Sequence, residues 1–574
     1  MSLRSGRRAA LVATLATLVA CGLAPTAMAA KSRPNDFGVR VARFAPGTSP
    51  AAMRHAIAQA GGHVVTDLSQ IGAMAVASPR SGLMSRLRDE RGVRAVWTDR
   101  VTATPSALAP DPLHDADAFG GENAPGVLQW EDDRDGVRKA WATTTGAGVK
   151  VAVLDTGVAA SHREIKRNLI LDKTTIPCDE LKEILGPGSD IPPDCGLDDT
   201  EGHGTWVAGR IVGDDNGFAS NGVAPDAKLM AYKVLATGVG GLSTWIVDAM
   251  LQACDADADV INMSLGGYDD PADPAGADDY FLWLDAVDYC RAKGTTVVAA
   301  AGNEHVRNLV QDITLTGTEE TRVVHGAGVV ANSGEGIGAS PGDTELTPGV
   351  NDFRGLLNAP AGVPGVVMVS ASGNTIADPA GNVLPAHAPP AAALGTQDNL
   401  TYYSSYGERV DLSAPGGARK FSVPVYDAAP GTDVLLWGWG QLGPTVKDGE
   451  LCRDEGDPAT FACFVLKGDG FAWLQGTSMS SPQVAGIAAL TLAAHPELRN
   501  HPDALQARLE ATTRTTMVNH VGPTAPDTDP AFDGTPCAVG YCHVSWATPI
   551  PFDLAYGAGM ANAAAAVSPG APAG

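Results

Sequence analysis

Past its first 30 residues the chain has no apolar run approaching the roughly 20 residues that a membrane-crossing helix needs. Basic residues are scarce as well: 40 Lys and Arg face 65 Asp and Glu, a formal net charge of −25. That balance argues against nucleic acid as a partner, because neutralising phosphates requires basic surface. It suits solubility, cation binding or a basic substrate. No CxxC pair and no clustered His/Cys spacing occurs, so the sequence patterns of a zinc site are missing. No internal repeat is evident either. With 44% hydrophobic and 18% charged residues, the 574-residue chain can bury a large core and is not a disordered tail. Its length allows on the order of two to four domains.

What is present begins with an export segment over residues 1–29. Arg4, Arg7 and Arg8 precede the short apolar stretch Ala9–Ala20, and Ala27-Met28-Ala29 supplies small residues for cleavage. Leu18-Val19-Ala20-Cys21 also fits a lipoprotein box, in which Cys21 would carry a lipid anchor on the outer side of the membrane. Secretion and lipid anchoring both place the protein outside the cytosol. Of nine cysteines, Cys21 falls in this segment, and the remaining eight form an even set suited to an oxidising compartment. Neighbours in sequence suggest Cys178–Cys195, Cys452–Cys463 and Cys537–Cys542. Cys254 and Cys290 are left as a fourth pair or as buried thiols.

Residues 37–104 read as a separate small unit. Phe37–Phe44 alternates as a strand, and Ser49-Pro50 offers an N-cap and a first-turn proline for a helix that Gly61-Gly62 stops. Strands at His63–Asp67, Ala73–Ser78 and Val93–Val101, with a helix at Gly82–Arg88, complete the order β-α-β-β-α-β of a ferredoxin-like α+β fold. A linker rich in Ala, Pro and Asp follows over 105–122, a place suited to proteolytic release. From 123 to 567 the texture is α/β. Val149–Asp155, Lys228–Val234, Asp259–Ser264, Thr295–Ala301 and Gly365–Ser370 are apolar runs separated by helical segments. They predict a mainly parallel sheet covered on both faces, a three-layer α/β/α domain. Stretches at about 305–358, 374–399 and 418–470 interrupt the pattern and read as weakly periodic surface insertions, and 568–574 as a disordered tail.

In such sheets, sites form beyond the carboxyl ends of the strands. Asp155 closes one strand, and Thr156-Gly157 follows it. His203 lies in Gly202-His203-Gly204-Thr205, just before the apolar helix Trp206–Val212. Gly476-Thr477-Ser478-Met479-Ser480-Ser481-Pro482 opens a long apolar helix, where backbone N–H groups and the helix dipole favour developing negative charge. Singly, these read as a strand-ending Asp, a capping His and an N-cap Ser.

Together, in the order Asp-Thr-Gly, His-Gly-Thr, Gly-Thr-Ser-Met, they resemble the subtilisin-like serine proteases. Val223-Ala224-Pro225, Val260–Gly267, Ala300-Ala301-Gly302-Asn303-Glu304, Leu412–Gly416 and Gly557–Ala563 extend the likeness in order along the chain. The resemblance implies a subtilisin-like fold and a serine endopeptidase with Ser478 as nucleophile, His203 as base and Asp155 as orienting acid. It gives Asn303 an oxyanion role beside the Ser478 N–H. Ser264, Leu265 and Gly266 with Ala300, Ala301 and Gly302 would line the primary side-chain pocket, whose small residues suggest apolar or aromatic preference. No cofactor is implied for the chemistry. Structural calcium is implied by the position of Glu164, where the family often has Asp. Residues 37–101 resemble the inhibitory propeptide of such enzymes, so the expected partners are polypeptide substrates and the chain's own propeptide, with monomer the default.

Departures from the family pattern are also legible. Asp155 and His203 lie 48 residues apart and Asn303 and Ser478 175 apart, longer than in compact relatives. Trp206, Ser480 and Gln483 replace common His, Ala and His. A silent binding protein using the same cleft is the alternative in another class, disfavoured by the full set of residues. An esterase is disfavoured because no Gly-x-Ser-x-Gly elbow surrounds Ser478.

Overall fold

The computed structural model describes residues 37–102, 129, 131–189, 191–331, 353–374, 398–401, 403–417, 441–452, 463–515 and 550–570. The export segment with Cys21, the 105–122 linker, Cys537 and Cys542, most of the 374–399 stretch and residues 571–574 lie outside the described residues.

The N-terminal unit comprises β1 (Arg40–Phe44), α1 (Pro50–Gln59), β2 (His63–Leu68), β3 (Ala73–Ala77), α2 (Leu83–Arg88) and β4 (Val93–Thr98). Ser49 caps α1 by accepting from the Ala52 N–H, and Pro50 sits where a missing N–H costs nothing. The antiparallel sheet runs β2-β3-β1-β4, the order a β-α-β-β-α-β chain takes in a ferredoxin-like fold. Because side chains alternate along a strand, each strand serves two cores. Ala42, Phe44, Met74, Val76 and Val96 pack on Met53, Ile57, Leu83 and Leu87 of the unit's own helices. Val41, Ala73, Ala95 and Trp97 point the other way, into a core shared with the rest of the protein. A two-residue strand β5 (Val101–Thr102) closes the unit.

The larger sheet follows. Its strands are β6 (Lys150–Asp155), β7 (Leu169–Thr174), β8 (Lys228–Lys233), β10 (Val260–Met263), β12 (Thr296–Ala300), β16 (Val366–Asn374), β17 (Asp398–Leu400) and β18 (Leu412–Pro415). The order is β17-β16-β12-β10-β6-β8-β7 with β18 beside β16. All pairings are parallel except that of β17 with β16. Helices follow as α3 (Cys178–Leu185), α4 (His203–Val212), α5 (Ser243–Asp255), α6 (Pro274–Ala292) and α7 (Thr477–Ala494). On one face Val207 and Ile211 of α4 and Val484 and Ile487 of α7 pack on Val151, Val153 and Val298. On the other, Ile246 and Met250 of α5 and Trp283 and Val287 of α6 pack on Ala152, Leu154, Ile261 and Val297. Strands apolar on both faces therefore require the three-layer arrangement. The N-terminal unit sits outside α5 and α6, and β5 pairs antiparallel with β9 (Gly241–Leu242) just before α5.

Cys178–Cys195 and Cys452–Cys463 are bonded. Cys254 and Cys290 are too, tying α5 to α6 and resolving the alternative left open by the sequence. The stretch at 305–358 differs from its weakly periodic reading. It forms a long hairpin, β13 (Arg307–Thr316) and β14 (Thr321–Ala331), joined through β15 (Leu357–Ala359) to β11 (Gly267–Asp269). A register shift explains why the alternation is hidden: His325 and Gly326 of β14 stand against Asp312 alone, so the core-facing positions change from Val324 to Ala327 and Val329, from even to odd numbers, midway along β14. In the third stretch, β19 (Gln441–Thr445), β20 (Cys463–Leu466) and β21 (Asp469–Leu474) form a small sheet against α4.

Candidate active site

Asp155 is the last residue of β6 and His203 the first of α4. The two approach because Gly204 lets the helix start lie directly on the strand end. A Cβ at Gly204 would stand 2.2 Å from the Gly157 carbonyl oxygen and 3.1 Å from the Asp155 Cβ. Gly202 enters the helix at φ +113°, a value side-chain-bearing residues rarely adopt. The His203 Nδ1 lies 2.7 Å from the Asp155 Oδ1, with both side chains 1% exposed. Thr156 N–H donates to the same oxygen at 2.8 Å.

Behind this pair lies a residue with no role in the sequence reading. Asp199 accepts from Thr156 Oγ1, Glu201 N and Gly202 N through Oδ1, and from Thr205 N and Oγ1 through Oδ2, at 2.6–3.1 Å. It holds the turn that delivers His203. Glu201 was missed as well; its carboxylate accepts from the His203 N–H at 2.6 Å. The one signal in the sequence was two acidic residues immediately ahead of His-Gly-Thr. Burial by itself disfavours an imidazolium, but the Asp155 charge and hydrogen bond, then Glu201 and Asp199, outweigh it and raise His203 to about 9.

Ser478 occupies the first turn of α7 and is fully buried. Pro482 explains how it is fixed. A proline has no N–H to give the carbonyl four residues earlier, which is that of Ser478. The Ser264 hydroxyl supplies the missing donor, reaching the Ser478 oxygen at 2.9 Å. In return Ser478 Oγ donates to the Ser264 carbonyl at 3.2 Å. Among the described residues the His203 Nε2 has no hydrogen-bond partner, and Ser478 Oγ is turned toward the Ser264 carbonyl just past β10. Of the neighbouring serines, Ser480 donates to the Ala414 carbonyl and Ser481 pairs with the Ser264 hydroxyl. Both are spent on packing.

Asn303 lies across from this turn. Its Oδ1 accepts from Thr477 N and Thr477 Oγ1, each at 2.9 Å. The amide nitrogen is thereby directed along the Gly476–Ser478 turn, 3.6 Å from where a Gly476 Cβ would stand. Among the expected pocket residues, Ala300 ends β12 and Ala301 and Gly302 follow it beside the site, where Gly302 N–H donates to Thr477 Oγ1 at 3.2 Å. Gly266 lies near the Ala359 carbonyl. Leu265 instead sends its side chain into the core, leaving only backbone to face outward. A Cβ on Gly302 would meet Glu304 Oε2 at 2.6 Å and Tyr268 Oη at 3.1 Å, so these two border the same space. Tyr268 donates to Glu304 at 2.7 Å and its ring lies 4.7 Å from that of Phe353.

Trp206 and Gln483 have structural partners. Trp206 donates to the Ala472 carbonyl at 3.1 Å, and Gln483 to the Pro415 carbonyl at 2.6 Å. The Glu164 position does not fit a cation as arranged. Asn216 turns its amide nitrogen to both Glu164 oxygens, at 3.1 and 3.3 Å, while its Oδ1 accepts from Phe218 N. Burial pushes the Glu164 carboxyl up to about 8, toward its neutral form. Among the described residues no group of three acidic, His or Cys side chains could hold a metal ion.

Residues 146–533 match the subtilase family of peptidases. This chain belongs to the subtilase family. It is 39% identical over 158 residues to subtilisin DY of Bacillus licheniformis, covering 28% of this chain and 48% of that protein. It is 27% identical over 369 residues to subtilisin E of Bacillus subtilis strain 168, covering 64% of this chain and 61% of that one. The chain thus spans about half the length of the curated relatives it matches first. The subtilase fold is shown again by solved structures. The epidermin leader peptide processing serine protease of Staphylococcus aureus superposes with a TM-score of 0.56 at 17% identity, covering 92% of this chain and 97% of that one. Fervidolysin of Fervidobacterium pennivorans superposes with 0.53 at 18%, covering 93% and 61%.

Proposed function

We propose that this subtilase is a serine endopeptidase acting through Ser478, His203 and Asp155 by an acyl-enzyme intermediate. The observation that carries the reading is the buried Asp155–His203 pair at the carboxyl end of the sheet, beside a serine on the first turn of α7. Asp155 holds the Nδ1 proton and leaves Nε2 as the basic nitrogen. Rotation of Ser478 about its Cα–Cβ bond turns Oγ from the Ser264 carbonyl toward that nitrogen. Nε2 takes the hydroxyl proton as Oγ attacks the scissile carbonyl, and returns it to the leaving amine; water repeats the sequence to release the acyl group. The Asn303 amide and the Ser478 N–H meet the developing oxyanion, since first-turn N–H groups have no intrahelical acceptor.

Polypeptides are the substrates in this reading, with apolar or aromatic residues preferred before the cut. Glu304 borders the pocket, but it is buried and its Oε2 already accepts from Tyr268 at 2.7 Å, which engages it before a basic side chain could. No cofactor enters any step. Residues 37–104 act as an inhibitory propeptide that is cut away in the 105–122 segment, and the protein works as a secreted monomer. Three disulfides among the described residues support an oxidising compartment. Mass analysis of the exported N-terminus distinguishes free secretion from a lipid on Cys21. A fluorophosphonate probe should label the mature protein covalently, and Ser478→Ala should abolish labelling. An unlabelled wild type would overturn the enzyme reading.

A further inference from the structure

We propose that the disulfide-closed loop Ile176–Cys195 and the β13–β14 hairpin form a clamp that retains the N-terminal unit after the chain is cut. This rests on the maturation reading above. The main seat of the unit is α5 and α6. Asp99 accepts from Thr244 N and Oγ1 at the start of α5, and Trp97 donates to Asp279 of α6 at 3.1 Å. The loop and the hairpin are additions beyond that seat, and each reaches a different part of the small sheet.

The hairpin tip is docked on α6 first. Thr318 N donates to Asp278 at 3.0 Å, and Gly317 lies so close that a Cβ would stand 2.1 Å from Asp278 Oδ1. From there Arg322 reaches Asp285 of α6 at 2.6 Å and Glu320 at 2.8 Å, its guanidinium 4.7 Å from the Phe281 ring. Into this acidic pair comes Arg43 of β1. It pairs with Asp285 and lies 3.8 Å from Glu320, with its side chain only 6% exposed. Arg43 is on the strand face that does not serve the unit's own core. Among the described residues its acidic partners, Asp285 and Glu320, both lie across the junction.

The loop grips the β2–β3 side by apolar contact. Cys178 and Leu181 of α3 pack with Phe37, Val39, Ala75 and Ala77. Phe37 also stacks on Trp245, ring centres 5.7 Å apart. The Cys178–Cys195 bond closes the loop, and its far end is anchored on the core by Lys233, whose Nζ lies 2.6 Å from Asp194. Once the chain is cut, the tether no longer keeps the unit at high effective concentration. Retention then depends on the junction alone, where these added contacts slow escape.

The test uses the full chain carrying Ser478→Ala and a recognition sequence for an added site-specific protease within 105–122. After cutting, the release rate of the N-terminal unit is followed by size exclusion and native mass spectrometry. The parent pieces should co-elute. Glu320→Ala with Arg322→Ala, which removes the hairpin's carboxylate near Arg43 and leaves Asp285 as its acidic partner among the described residues, and separately Leu181→Asp, should each speed release roughly threefold or more. Arg43→Leu, which leaves the hairpin untouched but also gives up the Asp285 pairing on α6, should speed release at least as much, and the hairpin variant should add little to it. Val310→Ser, exposed on the same hairpin, should leave release unchanged. Release within about twofold of the parent in all clamp variants would overturn the proposal. Since an added protease makes the cut, that outcome is independent of self-processing. The maturation reading fails separately, if wild-type protein keeps its 105–122 segment intact.

Discussion

At the level of single residues, His203 would set the working pH of the proposed peptidase. Only the neutral imidazole can accept the Ser478 proton, and the carboxylates around it raise its pKa to about 9. Activity should therefore climb as pH rises through that value. Glu201 contributes part of the shift, so Glu201→Gln should move the rising limb of kcat/KM to lower pH, measured on a peptide substrate. An unmoved limb would mean that Glu201 has no electrostatic hold on His203. Asn303→Ala should lower kcat about 10²–10³-fold with little change in KM, a magnitude taken from a subtilisin and not from this chain. Steady-state kinetics separates this from a binding defect. The residues at issue were legible because their strings are local: Asp155, His203 and Ser478 each stand in a short run of fixed composition. Asp199 and Glu201 were not, because an acidic residue in a loop looks like solvated surface until the chain around it is seen to bury it.

Among elements, α7 carries an inference that sequence periodicity misses. Pro482 leaves the Ser478 carbonyl without its helical donor, and the Ser264 hydroxyl replaces it. Ser264→Ala should cost about 1–3 kcal/mol in denaturant unfolding, the penalty of a buried acceptor left unsatisfied. Pro482→Ala supplies a new N–H to the same carbonyl, so the double variant should recover part of that loss. If the double variant is no more stable than Ser264→Ala, this view of the helix start is wrong. The parallel strands were readable as continuous apolar runs, and the N-terminal β-α-β-β-α-β unit from its caps and glycines. The β13–β14 hairpin escaped because its register shift breaks the alternation partway along. No periodic pattern within one segment reports which remote strand it will pair with.

For the whole molecule, buried acids dominate the pH response. Burial raises Glu131, Asp135 and Glu164 each to about 8. The folded state then holds protons that the unfolded chain releases near pH 4, so stability falls as pH rises between those values. His203 acts in the same direction: its raised pKa stabilises below about 6.5, and this is lost as pH passes 9. Urea midpoints should therefore be higher near pH 5 than near pH 9, about the pH at which the enzyme is expected to be most active. Equal midpoints would show that these carboxyls ionise freely in the fold.

The sequence by itself determined the family and the class of fold, and it singled out the residues for which a chemistry is proposed. Residue types in short strings, and apolar runs of strand length, express local constraints that survive without a partner segment. Only the tertiary structure decided that Cys254 pairs with Cys290, that Ser264 supplies the donor that Pro482 denies the Ser478 carbonyl, and that Arg43 is buried against Asp285 and Glu320. Each of these joins segments far apart in the chain, and the energy of burying a charge or a carbonyl depends on which distant group comes to meet it.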